Sequence, residues 1–155
     1  MVWTTGILSL ALLLVQWFWM RRFKPSFMTV QLASSLDRLH RILDQWSPSQ
    51  RSTHRRMLFL DFLALACYGS FGYLVSTAPH DAWLADAPGA LQRAAPFLFP
   101  VAALADAVEN VCLLSLTEGR PTRAKRLLFP FAKLATIVKL AAFIAFLMIL
   151  LAYSI

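Results

Sequence analysis

The run from Val2 to Met20 contains no charged side chain, and that one feature removes most of the folds open to a chain of 155 residues. A lipid-crossing helix needs about 20 mainly apolar residues. Trp3 stands near one end of the run, and Trp17 and Trp19 near the other, where aromatic rings favour the membrane interface. A cleaved leader carries its positive charge before the apolar stretch and small residues after it. Here Arg21, Arg22 and Lys24 follow the stretch and no A-x-A site appears, so the expectation is a retained helix.

Three more apolar runs follow. The second, Met57 to Ala78, is interrupted by Asp61 and closed by Pro79. The third opens with Pro96 and Pro100, read as first-turn prolines, and ends at Glu118-Gly119-Arg120-Pro121. That ending combines a glycine stop, a cation and a following proline. The fourth extends from Leu127 to about Tyr153, with Pro130 read in its opening turn. None shows the period-two alternation of a strand. The fold class expected is all-α: a single membrane domain over residues 1–155, built as a four-transmembrane-helix bundle. Its spans lie at about 2–20, 57–78, 97–117 and 127–153.

Composition agrees with this class. Hydrophobic residues make up 59% and charged residues 15%, against about 25% charged in soluble chains, and the mean hydropathy is +0.60. The formal net charge of +7 can signal nucleic acid, anionic lipid or topology, and position separates them. Arg21, Arg22, Lys24, Arg38, Arg41, Arg51, Arg55 and Arg56 fill the 21–56 segment, and Arg120, Arg123, Lys125 and Arg126 the 119–126 loop. The 79–95 loop has Arg93 alone, with Asp81 and Asp86. Basic loops stay in the cytoplasm, so both termini are expected outside it. Short loops and small size point to a bacterial inner membrane. No basic stripe with interleaved aromatics suggests nucleic acid.

Between spans one and two, Leu32, Leu36, Leu39, Leu43 and Trp46 recur at steps of four, three, four and three. This is a helical apolar stripe. An amphipathic cytoplasmic helix over about 28–46, ended by Ser47-Pro48-Ser49, is therefore expected. It lies on the headgroups or its own chain, or docks on a partner protein.

Ionisable side chains inside spans are costly, at about 2.5–3.5 kcal/mol each on insertion scales. Lys139 is about 12 residues past Leu127, roughly 18 Å along a helix, too deep to reach the surface easily. Asp106 lies about eight residues from Leu98, roughly 12 Å deep, at the level expected of Lys139. Asp106, Glu109 and Asn110 share one helical face, Thr136 shares the Lys139 face, and Asp61 and Tyr68 share a face of span two. These spacings predict a buried cluster of Asp106, Glu109, Asn110 and Lys139, with Tyr68 and Thr136 beside it and Asp61 towards the cytoplasm. Charge balance asks either that Asp61 pair with Lys133 or that one carboxyl be protonated. One of Asp106 and Glu109 is expected to be neutral.

Other chemistry is thin. His40, His54 and His80 fall in expected loops and are read as solvated. Cys67 and Cys112 are read as small packed residues, and Ser70 and Ser115 as isolated hydroxyls. No metal-ligand spacing, nucleophile elbow or phosphate loop occurs, so no catalytic residue, metal or cofactor is assigned. The function expected first is an accessory, scaffold or assembly subunit, whose partners are the bilayer and another membrane protein or a second copy. The alternatives are an oligomeric proton, ion or lipid transporter, and a lipid-modifying enzyme using Glu109 or Asp106 as general base.

Overall fold

The structure is a computed structural model, and it describes residues 2–77, 87–119 and 122–153. Among them there are helices and no strands: α1 Val2–Met20, α2 Phe27–Gln31, α3 Leu36–Asp44, α4 Pro48–Thr77, α5 Gly89–Leu116 and α6 Arg123–Tyr153. Four of them, α1, α4, α5 and α6, are long and apolar enough to cross a membrane. Pro79, His80, Asp81, Asp86, Arg120 and Pro121 lie outside the described residues.

Three helices begin earlier than the apolar runs suggest. At the start of α4, the Ser47 hydroxyl accepts from Gln50 N at 3.2 Å, and Ser47 N donates to Gln50 Oε1 at 2.9 Å. With Pro48 in the first helical position, this is a reciprocal capping box. Ser47-Pro48 therefore opens a new helix nine residues before the apolar run, through a turn whose arginines conceal it from hydropathy. Pro96, Pro100 and Pro130 lie inside α5 and α6, not in opening turns. The end of α5 carries Gly119 at φ 54°, the left-handed stop that glycine tolerates best.

The cytoplasmic stripe is not one helix. It breaks after Gln31 and restarts at Leu36, with the Ser35 hydroxyl accepting from Arg38 N at 3.2 Å. Serine favours such a cap over a helix interior. Leu32 falls in the break and is 68% exposed, which takes it off the stripe. Leu36, Leu39, Leu43 and Trp46 are buried, together with Val30 and Ala33, against Met20, Leu58, Leu113, Leu116 and Ala132. The buried members of the stripe thus pack into their own chain. Trp46 Nε1 donates to Pro25 O at 2.8 Å, and its ring lies 5.1 Å from Phe23 and 5.1 Å from His54. Lys133 donates to Gln31 O and lies over the Phe129 ring. It caps the 27–31 turn and does not meet Asp61.

The long helices neighbour one another in the order α1, α4, α5, α6. Tyr68 meets Asp106 and Asp61 meets Asn110, so α4 and α5 run antiparallel. Their approach depends on small residues: a Cβ at Gly72 would collide with the Phe99 ring, and one at Gly69 would stand 3.0 Å from Ala103. Phe99 in turn packs edge-on against Phe143 at 5.4 Å and Phe146 at 4.4 Å. Two apolar layers result, one around Phe99 and one around Leu39 and Leu116. The polar side chains occupy the level between them.

Candidate intramembrane polar site

Helix register puts the polar groups on that level. Asp106, Glu109 and Asn110 leave α5 on one face; Lys139 comes from α6, and Asp61 and Tyr68 from α4. The Lys139 ammonium donates to Asp106 Oδ1 at 2.8 Å and stands 2.6 Å from Glu109 Oε2. The first contact is a directed hydrogen bond. The second is an ion pair without hydrogen-bond alignment, since Glu109 Oε2 has no hydrogen-bond donor. Side-chain exposure is 10% for Lys139, 13% for Asp106 and 1% for Glu109, so water screens this group little. The Tyr68 hydroxyl donates to Asp106 Oδ2 over a long 3.5 Å.

Two of the expected members are placed differently. Asn110 does not turn to Lys139; its Nδ2 donates to Asp61 Oδ2 at 2.7 Å. The Thr136 hydroxyl is buried but donates to Ala132 O of its own helix at 3.0 Å, which satisfies it away from the cluster. Asp61 joins the group through Asn110, and no described cation stands within ion-pair distance of it. Two carboxylates therefore share the Lys139 ammonium, and a third, Asp61, joins them only through Asn110.

His54 is not a solvated loop residue. It lies one turn before the apolar stretch of α4, is 3% exposed and packs on Trp46. His54, Asp61 and Tyr68 recur every seven residues and so share one face of α4. His40 is in α3, with Nε2 buried and without a partner. Burial and the Lys125 ammonium hold its imidazole below the ordinary histidine pKa, against the opposing pull of Asp44 and Asp37. Cys67 and Cys112 are buried free thiols, Ser70 is exposed, and Ser115 donates to Val111 O of its own helix.

The first helix contributes side chains that hydropathy alone conceals. Ser9 and Gln16, seven residues apart on one face, are buried at 5% and 7% exposure. Their spacing within an otherwise apolar run is the signal that could have marked them. Gln16 lines a cavity of about 180 Å³ between α1, α4 and α5, together with His54, Asp61, Asp106 and Asn110. Ser9 lines a second, wider cleft of about 390 Å³ that reaches from α1 to α6 past Tyr68, Asp106 and Lys139. Asp106 is common to both. Gln16 Nε2 and Asn110 Oδ1 are buried without hydrogen-bond partners, an arrangement that costs about 1–3 kcal/mol per group when nothing occupies the space.

The chemistry available is cation and proton binding by carboxylates in a water-poor setting. No group of three or more metal-type ligands occurs among the described residues. No family model, curated protein or solved structure matches the chain.

Proposed function

We propose that the chain is an integral membrane protein that crosses the bilayer four times, with both termini outside the cytoplasm, in a bacterial inner membrane. Support comes from four long apolar helices and from large exposed side chains such as Trp3, Ile7, Leu104, Ile137 and Met148. Apolar exposure on that scale is untenable in water, and the basic segments alternate with the poor loop as the charge rule requires.

Within that membrane we propose a proton- or cation-handling role, exerted through the intramembrane carboxylates by an oligomer or a subunit of a larger carrier. The observation that carries it is the imbalance of three carboxylates, Asp61, Asp106 and Glu109, against the single Lys139 ammonium, with a cavity on either side of Asp106. A cluster meant only to tie helices together gains from closing its charge balance. This one leaves Asp61 open. Purified protein in liposomes, loaded with a pH-sensitive dye, tests the role. Wild-type protein is expected to dissipate an imposed proton or cation gradient, and Asp106→Asn or Glu109→Gln to lose at least tenfold in rate with unchanged incorporation. Equal rates for wild type, both variants and empty liposomes would rule the role out.

The accessory-subunit reading keeps one specific support. Helix α1 packs mainly on α4, and only 17% of its most apolar window is buried, which leaves a long apolar face for another membrane protein or a second copy. Crosslinking in cells from an α1 surface position, such as Leu14, is expected to trap a partner if this face is used.

A further inference from the structure

The cavity between α1, α4 and α5 is chemically more specific than a general acid-rich gap. Its polar lining is Gln16, Gln31, His54, Asp61, Asp106 and Asn110; Asp106 is already engaged by Lys139 and Tyr68, which leaves the Asp61 carboxylate and the orphaned Asn110 Oδ1 as open acceptors and the orphaned Gln16 Nε2 as an open donor. Asn110 is 1% exposed and Gln16 7%, so neither amide has an easy route to bulk water. Met20, Phe27 and Leu58 supply an apolar part of the wall. A volume of about 180 Å³ admits several water-sized groups, since one water needs only about 10–15 Å³ on this measure. A bare monovalent or divalent ion would leave Gln16 Nε2 without an acceptor. A neutral solute would leave the Asp61 charge uncompensated.

We propose that this cavity is a binding site for a small primary ammonium group carrying a neighbouring oxygen acceptor, the chemistry of a 2-aminoethanol unit. The ammonium lies against Asp61 and accepts no bonds of its own: its N–H groups donate to the Asp61 carboxylate and to Asn110 Oδ1. The adjacent oxygen accepts from Gln16 Nε2, which gives both orphaned amide atoms of the cavity a partner of the right polarity. The apolar wall accommodates the two methylene groups between them. The inference deepens the cation-handling role and rests on it for biological meaning, but its own test is one of binding.

The unit can come from free ethanolamine or from the headgroup of phosphatidylethanolamine, so the test has two arms. Calorimetric titration of the detergent-solubilised protein with ethanolamine reads the free amine. Native mass spectrometry of protein released from nanodiscs of mixed phosphatidylethanolamine and phosphatidylglycerol reads the lipid. Saturable binding in one or both arms is expected, and the positive arm identifies the source. Asp61→Asn, which keeps the shape and the Asn110 contact, is expected to weaken that binding at least tenfold, equivalent to about 1.4 kcal/mol. Gln16→Leu is expected to weaken it about threefold while leaving binding of ethylamine, which lacks the oxygen, unchanged; that is about 0.6 kcal/mol. Circular dichroism and gel filtration of both variants confirm folding before comparison. No binding in either arm, or equal binding by wild type and folded Asp61→Asn, overturns the assignment. Binding without gradient dissipation by the same preparation removes the transport role and leaves the site; dissipation without binding does the reverse.

Discussion

Lys139→Met is the sharpest perturbation available, because it removes the cation that Asp106 and Glu109 share. In the wild type the ammonium stands 2.8 Å from Asp106 and 2.6 Å from Glu109. Deleting one side of a buried pair costs about 3–5 kcal/mol, since the remaining charge keeps its desolvation penalty without its partner. No other ion pair reaches either carboxylate among the described residues, so a loss in that range is expected. Glu109→Gln leaves Lys139 paired with Asp106 and is expected to cost about 1–2 kcal/mol, the scale of a polar contact within a membrane bundle. Combining Lys139→Met with Asp106→Asn and Glu109→Gln removes the unpaired charges and should recover most of the loss. Unfolding by sodium dodecyl sulfate in mixed micelles, followed by tryptophan fluorescence, gives the comparison. A Lys139→Met protein within about 1 kcal/mol of wild type, or a triple variant no more stable than Lys139→Met, would refute the claim that these side chains form one dry electrostatic unit.

Four further outcomes follow from particular contacts. Gly72→Ala drives a Cβ into the Phe99 ring and is expected to destabilise by about 1–3 kcal/mol; Gly6→Ala should cost less, because the Phe71 ring edge that it meets at 2.8 Å is the far end of a side chain able to rotate. Thermal unfolding of the two variants side by side ranks them. Trp46→Phe leaves Pro25 O without its donor at a cost of about 1–3 kcal/mol, and limited proteolysis should then cut residues 21–47 faster than in wild type. Acidification should loosen the same region: with the folded His40 pKa held down by burial and Lys125, the unfolded chain takes the proton first as pH falls below about 6.5. The stabilisation is therefore complete above that value and lost as pH falls towards the folded pKa, so His40→Gln should flatten the acid-side decline in hydrogen-exchange protection of α3. Single cysteines at Thr4 and Thr122, introduced into a Cys67→Ser, Cys112→Ser background, should react with an impermeant maleimide from opposite sides of the membrane; labelling from the same side would reverse the topology argument.

What hydropathy and helical register could expose, they exposed. The positions of α1 and of the polar level on α4, α5 and α6 were legible because a charge in an apolar run is conspicuous, and because rise per residue converts position into depth. The helix starts were not. Pro48, Gly89 and Arg123 open their helices outside the apolar runs, where capping and proline placement decide the boundary and hydropathy is silent. The break at Leu32 was hidden for a related reason: the stripe records which residues seek burial, whereas the Ser34-Ser35 pair decides where the backbone can turn, and Val30 and Ala33 take the buried places that an unbroken helix would have given to others.

The partnering of polar groups was the least legible level, and its error is instructive. The depth match of Asp106 with Lys139, and the i, i+3, i+4 spacing of Asp106, Glu109 and Asn110, placed Asn110 with Lys139. A face shared at that spacing is broad, and a one-residue step from Glu109 to Asn110 turns the side chain by about 100° around a helix of 3.6 residues per turn. That rotation carries Asn110 away from α6 and into α4, where Asp61 waits. It also explains why the Lys139 cluster and the Asp61 cavity are neighbours with different chemistry. Glu109 and Asp106 face the ammonium from α6, whereas Asn110 and Asp61 face α1, which supplies no charge and offers Gln16 instead. A span read as uniformly apolar thus carries the amide that turns an excess negative charge into a shaped site. The excess acid is on the α1 side of the molecule, where no described cation stands within ion-pair distance of Asp61.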